Sequence, residues 1–468
     1  MKYDIGIIGS GPGGYVAAIR AAQLQRSVVM IEEAQLGGVC LNWGCIPTKA
    51  LLKSAQLWCD LTKVSDHGIS IQGQQFDLQK MVARSRKISQ TLGQGLQGLM
   101  KKHGITLVGG RAKIQECTSQ SVTLQVTGHD MLSLEVSHLI LATGAKPRVL
   151  PVNIPESIVW NARAAMTPDQ LPERLLVVGA GAIGMEFASF YQALGVQVTV
   201  LEQGSRILPQ EDSECTGLAY KIFQEQGMQF FLASELESVE IVAESIHARI
   251  VSRDGSQVYS WRGSITTDRV LIAIGVTGNT QDLGLEKTKV QVTQGHIVVS
   301  EVFQTDEPTI YAIGDVIGGP WLAHLASHQG IACVEHIISG TKRLVDPLSI
   351  PGCTYTLPPF ASFGLTESKA RERYDVQVGR FSFSGNGQAL AQGSGPGLVK
   401  IIFEEKTGEL LGAHLFGRES PELLSALLVT KGLEGTAEAL SSVMLPHPTM
   451  SEMIHEAALA AQGRGLHG

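Results

Sequence analysis

Two cysteines five positions apart, Cys40 and Cys45, stand in the segment Gly37-Gly38-Val39-Cys40-Leu41-Asn42-Trp43-Gly44-Cys45-Ile46-Pro47-Thr48-Lys49. Thiols at this spacing can carry two-electron redox chemistry if the chain folds them together. Five residues of regular helix advance about 7.5 Å, beyond the ~7 Å between α-carbons that a disulfide tolerates. The two can pair only if the segment bends, and Gly44 permits the bend. Pro47 fits the first turn of a helix running to about Leu57, which sets Cys45 beside that helix's N-terminus, where the dipole favours a thiolate. Spacing alone leaves open a pair of buried, unpaired cysteines. A metal site is disfavoured, because two thiols without nearby His or Cys partners are too few ligands for zinc.

Other side chains join this set. His447 lies five residues before Glu452. Pro448 turns the residue before it away from helical geometry and can itself start a helix carrying Glu452. The carboxylate can then orient the imidazole as a base-and-orienter pair does. Lys49 and Glu186 each fall within a turn or two of a helix start, among small residues, where an unpaired charge is costly. Mutual pairing fits, although a solvated surface charge is an equal reading for either alone. His455 reads as a surface residue.

These groups need elements to position them, and a repeat supplies the frame. Asp4 to Glu33 and Arg174 to Gln203 write one 30-residue pattern twice. An apolar run (Ile5–Ile8, Leu175–Val178) suits a strand buried on both faces. A glycine cluster follows, Gly9-x-Gly11-x-x-Gly14 or Gly179-x-Gly181-x-x-Gly184, then an Ala-rich helix and a second apolar run ending in Glu32 or Glu202. Such a βαβ unit brings backbone N–H groups up to a pyrophosphate at a helix N-terminus, and the acid accepts hydrogen bonds from an adenosine ribose. Two dinucleotides are implied. His138 to Gly144, with Thr143 and Gly144 at its end, and Arg269 to Gly275 are further buried strands, each closing a unit. Thr309 to Asp315 is another strand, whose terminal carboxylate, Asp315, is placed to bind hydroxyls or else to cap the helix Ala323 to Ser339. From about residue 346, alternating stretches at 397–403 and 408–416 indicate an antiparallel sheet, with helices from Pro421 and Thr449.

Taken in order, these motifs resemble a known family, the flavin-dependent pyridine nucleotide–disulfide oxidoreductases, and within it most closely the members that oxidise dihydrolipoamide. The resemblance covers essentially the whole length: the first glycine motif, Gly-Gly-x-Cys-x4-Cys-x-Pro-x-Lys, Ala142-Thr143-Gly144, the second glycine motif with Glu186, Ala312-Ile313-Gly314-Asp315, and His447-Pro448-Thr449-x-Ser451-Glu452. It implies FAD in the first unit and NAD in the second. It implies that Cys40 exchanges with substrate, that Cys45 contacts the flavin, and that Lys49 and Glu186 pair near the flavin's reactive nitrogen. His447, oriented by Glu452, is then the base. The helix opening at Leu322-Ala323-His324 would stabilise negative charge on a reduced flavin through its N-terminal dipole at Ala323, with no catalytic part for His324.

The resulting fold class is α/β, two Rossmann-like dinucleotide-binding domains plus a C-terminal α+β dimerisation domain. The boundaries read as 1–147 for FAD, 148–275 for NAD, 276–345 completing the FAD domain and 346–468 for the interface. The resemblance implies a homodimer whose substrate is a lipoyl group on a partner, the acyltransferase of a 2-oxo acid dehydrogenase complex or the glycine cleavage carrier. The chain begins at its first strand, so no lipoyl domain of its own is expected. Glu202 argues against NADP, and no cysteine follows Cys353, which argues against a mercuric reductase. A glutathione-reductase-like enzyme and a redox-inert cofactor-binding scaffold are the rival readings.

Composition narrows the class further. Of 468 residues, 52 are glycine, above the usual ~7 %. The 44 % apolar and 17 % charged content suits a folded α/β enzyme and not a disordered chain. Net charge −7 without a basic cluster argues against nucleic acid. No apolar stretch reaches the ~18 residues of a membrane span, and seven scattered cysteines do not form a secretory framework; a cytoplasmic protein is expected. Three departures from the family pattern stand out: Leu445 in place of a second histidine, Val276-Thr277-Gly278-Asn279 in place of a more basic segment, and Pro359 in place of a glutamate.

Overall fold

The computed structural model describes residues 1–467 apart from 129–130, 153, 243–244 and 255–257. Two compact units divide the chain: Met1–Leu51, Asp77–Val149 and Gly275–Val345 form one, and Leu52–Phe76, Leu150–Ile274 and Asp346–Gly468 the other.

The first unit is built on a seven-stranded sheet. Lys2–Ile8 lies at its centre, parallel to Val28–Glu32 on one side and to Met131–Leu141 on the other. Thr106–Gly109 and Ile310–Ala312 extend the parallel part, and Val122–Thr127 and Arg111–Cys117 add an antiparallel edge. Alternate residues of the strand Val28–Glu32 enter different cores. Val28 and Met30 pack with Ala17, Ala18 and Ala21 of the helix Pro12–Gln23, while Val29 and Ile31 pack with Leu139, Leu141 and the residues of the antiparallel edge. Burial on both faces accounts for the unbroken apolar runs. Helix Pro12–Gln23 packs on helix Ala323–Ser339 so closely that a Cβ at Gly330 would stand 2.6 Å from the Gly13 carbonyl oxygen.

The second unit repeats the parallel plan and adds two antiparallel sheets. Its five-stranded sheet runs Gln229–Phe231, Gln197–Leu201, Arg174–Val178, Arg269–Ile272, Val159–Trp160. One face of it packs, through Leu176, Val178, Leu201 and Val270, on Ala248 and Ile250 of a three-stranded meander spanning Ser234–Val242, Ser245–Asp254 and Val258–Thr267. The C-terminal sheet has five strands and holds Leu423, Leu424 and Leu427 of helix Ser420–Gly432 and Met453, Ile454 and Ala457 of helix Glu452–Ala461 in one core. Among the described residues no helix is long and apolar enough to cross a membrane.

Several boundaries differ from those read in the sequence. The helix expected to end near Leu57 spans Cys45–Leu61, so Cys45 is its first residue. The last helix begins at Glu452 and not at Thr449, because the Glu452 carboxylate accepts the Thr449 amide and closes a turn ahead of it. The strand expected over Thr309 to Asp315 is Ile310–Ala312, and Asp315 sits in the short turn Gly314–Ile317.

Candidate active site

Each glycine loop is shaped by what a side chain would strike. Gly9 has φ +100°, and a Cβ there would lie 2.3 Å from the Ala142 carbonyl oxygen; one at Gly14 would lie 2.0 Å from the Gly9 oxygen. At Gly11 a Cβ would meet nothing within 4 Å, so the loop is closed against the protein at Gly9 and Gly14 and open at Gly11, where a phosphate would rest. The second loop is the same: 2.4 Å from Ala273 O at Gly179, 2.0 Å from Gly179 O at Gly184, and open space at Gly181. Both cradles fit a dinucleotide pyrophosphate.

The acids that end the second strands are held by these loops. Glu32 Oε2 accepts from the Ser10 amide at 2.9 Å and the Ser10 hydroxyl at 2.6 Å, and Oε1 accepts from Ala34 N at 2.9 Å. Glu202 accepts from Ala180 N and Gly204 N, each at 2.7 Å. Arg206, four residues on, donates to the Pro209 carbonyl at 2.5 Å.

The thiol segment starts directly on the first loop. Gly37 N donates to the Ser10 carbonyl at 3.1 Å, and a Cβ at Gly38 would stand 2.8 Å from Gly11 Cα. Helix Gly38–Trp43 then stops at Gly44 and the next helix starts at Cys45. A Cβ at Gly44 would fall 3.1 Å from Val39 O and 3.4 Å from Cys40 Cα, tighter than side chains usually pack, so glycine there eases the bend. It brings the two sulfurs side by side: the Cys45 thiol, ahead of burial, pushes the Cys40 thiol far above its ordinary range, while Lys49, one turn into the second helix, pulls the other way.

Other expected residues also lie in the first unit. Thr143 Oγ1 donates to Asn279 O at 2.8 Å, and the Asn279 side chain donates back to Thr143 O at 2.9 Å, so Asn279 clamps Thr143 and Gly144. Gly275, with φ +94°, accepts the Arg148 amide. Asp315 does not cap the following helix, whose N-cap is Leu322 and whose first residue is Ala323. Burial raises the Asp315 carboxyl, with His296 opposing. The departure at Gly278 has a steric reason, since a Cβ there would meet Gly295 O at 2.6 Å.

In the second unit Glu186 lies on helix Ala182–Ala193, is 6 % exposed, and accepts the Tyr355 amide at 2.9 Å. His447 is exposed, with Nδ1 2.9 Å from Glu452 Oε1. His455 is not a free surface histidine: its Nε2 lies 3.0 Å from the Ser441 carbonyl oxygen. Sequence reading passed over Ser10 and named Asn279 only as part of a segment that departs from the family pattern. Ser10 had a usable signal, a hydroxyl inside a glycine loop.

The sequence pattern of the pyridine nucleotide-disulphide oxidoreductases matches residues 3–330, and that of the family's dimerisation domain matches residues 350–458. The chain belongs to this family of flavoprotein disulfide oxidoreductases and carries its dimerisation domain. It is 45 % identical to a dihydrolipoyl dehydrogenase of Rhizobium etli over 100 % of this chain and 99 % of the relative, and 41 % identical to one of Zymomonas mobilis over 99 % of both. Among solved structures it is similar to LpdA of Mycobacterium tuberculosis (TM-score 0.90, 25 % identity, 98 % of this chain and 99 % of that one). A second is an HOCl-induced flavoprotein disulfide reductase of Escherichia coli (TM-score 0.85, 26 % identity, 97 % and 99 %).

Proposed function

We propose that the chain is an NAD-linked dihydrolipoyl dehydrogenase, a cytoplasmic homodimer that oxidises dihydrolipoamide carried by the acyltransferase of a 2-oxo acid dehydrogenase complex or by the glycine cleavage carrier. One observation carries the chemistry: Cys40 and Cys45 are apposed across the Gly44 bend, on a turn seated on the Gly11 loop. The substrate follows from relatives of that name, 45 % and 41 % identical over nearly the full length.

Nδ1 of His447 faces Glu452, which leaves Nε2 to take a proton from a substrate thiol. The resulting thiolate attacks Cys40 of the Cys40–Cys45 disulfide, forming a mixed disulfide and releasing Cys45 as a thiolate at its helix N-terminus. The second substrate thiol, deprotonated in turn, displaces Cys40 and closes the lipoamide ring, leaving two electrons on the cysteine pair. FAD would be held by Gly9, Gly11, Gly14, Glu32, Thr143, Gly144, Asp315 and the helix at Ala323, and NAD⁺ by Gly179, Gly181, Gly184, Glu202 and Gly275; together they would supply the two-electron acceptor chemistry that reoxidises the cysteine pair. Lys49 would supply a positive charge, and Glu186 a negative one, to the bound flavin.

Steady-state turnover with dihydrolipoamide and with glutathione disulfide, each with NAD(H) and NADP(H), tests the reading. Dihydrolipoamide with NAD⁺ should dominate by orders of magnitude. Equal or better turnover of glutathione disulfide with NADPH would replace it with the glutathione-reductase-like alternative.

A further inference from the structure

The bend between Cys40 and Cys45 is gripped from outside by one residue of the 25-residue helix Leu78–Lys102. The Arg86 guanidinium lies over the Trp43 indole, its Cζ 4.3 Å from the ring centroid. The same group donates through Nη2 to the Asn42 carbonyl and, at 2.8 Å, to Ser89 Oγ. Asn42 and Trp43 are the two residues immediately before Gly44. Ser89, buried, is anchored in turn to Ser85 O at 3.3 Å. Other bonds fix the flanks: Asn42 Nδ2 donates to Leu36 O and Gly38 O at 2.9 and 3.0 Å, the Trp43 indole N–H donates to Gln35 at 3.1 Å, and Arg84 donates to Ala50 O at 3.0 Å on the helix that Cys45 opens.

We infer that Arg86 is a positioning residue for the redox pair: by stacking on Trp43 and bonding the Asn42 carbonyl it holds the bend that keeps the two sulfurs in bonding range, and so favours the disulfide over the dithiol. The inference rests on Cys40 and Cys45 being the exchanging pair. Its physical basis is effective concentration. A dithiol held in the closed geometry loses little further freedom on oxidation, whereas a loosened bend must be ordered first. The effect proposed is one of geometry: the Arg86 guanidinium engages the Asn42 carbonyl, the Ser89 hydroxyl and the indole face. Lysine cannot reproduce that arrangement, having neither a planar face to stack nor a fork.

The test is a redox equilibrium on the full-length, flavin-loaded protein. The protein disulfide plus dithiothreitol exchanges with the protein dithiol plus cyclic oxidised dithiothreitol, two electrons and two protons passing between them. Anaerobic mixtures are acid-quenched and alkylated, and the Cys40 and Cys45 thiols are counted by peptide mass spectrometry. Arg86→Gln and Arg86→Lys should both shift the constant about fivefold toward the dithiol, a potential about 20 mV higher for a two-electron couple. Trp43→Phe, which keeps a ring under the guanidinium, should stay within about twofold of wild type. Should Arg86→Gln fail to fold, Ser89→Ala removes the anchor of the fork alone and should shift the constant about threefold the same way. Constants within twofold of wild type for the Arg86 variants overturn the inference. So does a wild-type constant for Arg86→Lys beside a shifted Arg86→Gln, which would make Arg86 a charge effect. If the wild-type cysteines never interconvert, the redox reading itself falls and takes this inference with it.

Discussion

Nδ1 of His447 stands 2.9 Å from Oε1 of Glu452, while Oε2 of the same carboxylate accepts the Thr449 amide at 2.8 Å. The carboxylate is thus fixed by backbone before it meets the imidazole. The Thr449 amide first, and His447 second, hold its carboxyl below the ordinary range. A depressed carboxyl contributes stabilisation that is present above its unfolded value, near 4.5, and is lost as pH falls through the folded value. Glu452 therefore keeps its charge down to its lowered value.

Removing the base should cost most of the activity. His447→Ala is expected to lower kcat for dihydrolipoamide by about 10²–10⁴-fold, and Glu452→Gln by less, since the imidazole remains. Without the carboxylate the ring is no longer oriented through Nδ1, so the loss in Glu452→Gln should fall on kcat and should largely vanish in the His447→Ala background. A loss that adds in full to that of His447→Ala would mean that Glu452 does not act through His447.

Cofactor choice follows from Glu202. With both oxygens tied to loop amides and Arg206 engaged by the Pro209 carbonyl, Glu202 would face the adenosine ribose of a cofactor bound to this loop and would repel an added phosphate. NAD should be favoured over NADP by about 100-fold or more in kcat/KM, corresponding to the several kcal/mol of a like-charge clash. Glu202→Gln should narrow that ratio mainly by improving NADP. Comparable constants in the wild type would remove Glu202 from the selection.

The dimerisation domain gives a counting test. If His447 of one protomer serves the cysteine pair of the other, equal mixing of inactive Cys45→Ser and inactive His447→Ala proteins, dissociated and reassociated, yields about half heterodimers. Each of these carries one intact site, so about a quarter of wild-type turnover should return. No recovery would place both residues of a site in one chain.

A buried ion cluster should dominate the pH stability of the second unit. Lys400 is 2 % exposed, and its ammonium lies 2.9 Å from Asp212, 3.0 Å from Glu214 and 2.8 Å from Glu367. Burial opposes ionisation of Asp212, Glu367 and Lys400, but the mutual bonds prevail, lowering both carboxyls and raising the ammonium. The carboxylates' contribution is present above their unfolded values, near 4, and is lost as pH falls through the lowered ones. The lysine's is present below its unfolded value, near 10.5, and is lost as pH rises through the raised one. Lys400→Met leaves the buried Asp212 without its cation, while Glu214 keeps Arg380 and Glu367 keeps Arg380 and Arg371, and should destabilise by about 3 kcal/mol, with the deficit largest at neutral pH and shrinking in acid. Thermal unfolding from pH 3 to 9 reads this directly, and a pH-independent deficit would reduce Lys400 to a packing role.

The parts of the fold whose cause is local are legible in the residues themselves. Each dinucleotide unit is a strand, a turn and a helix within 30 residues, and the collisions that demand Gly14 and Gly184 involve the backbone of Gly9 and Gly179, five positions away. The Gly44 bend is legible for the same reason, because what a Cβ there would strike is Val39 and Cys40. Glu452 and His447 are near neighbours whose spacing shows their meeting, though not the turn that delays the helix.

Tertiary structure alone decided what depends on distant chain. Nothing in the pattern of Leu78–Lys102 separates Arg86 from Arg84 or Lys87; it reaches Trp43 only because two helices pack. Lys400, inside the apolar strand Leu398–Glu404, looks misplaced until Asp212 and Glu367 arrive from 188 residues before and 33 before. The meander Ser234–Thr267 was not anticipated either, since its value lies in covering Leu176 and Val178 on another sheet. Backbone conformation is set by sterics between near neighbours, whereas the partner of a charge or of an apolar face is set by which surfaces meet when the chain closes.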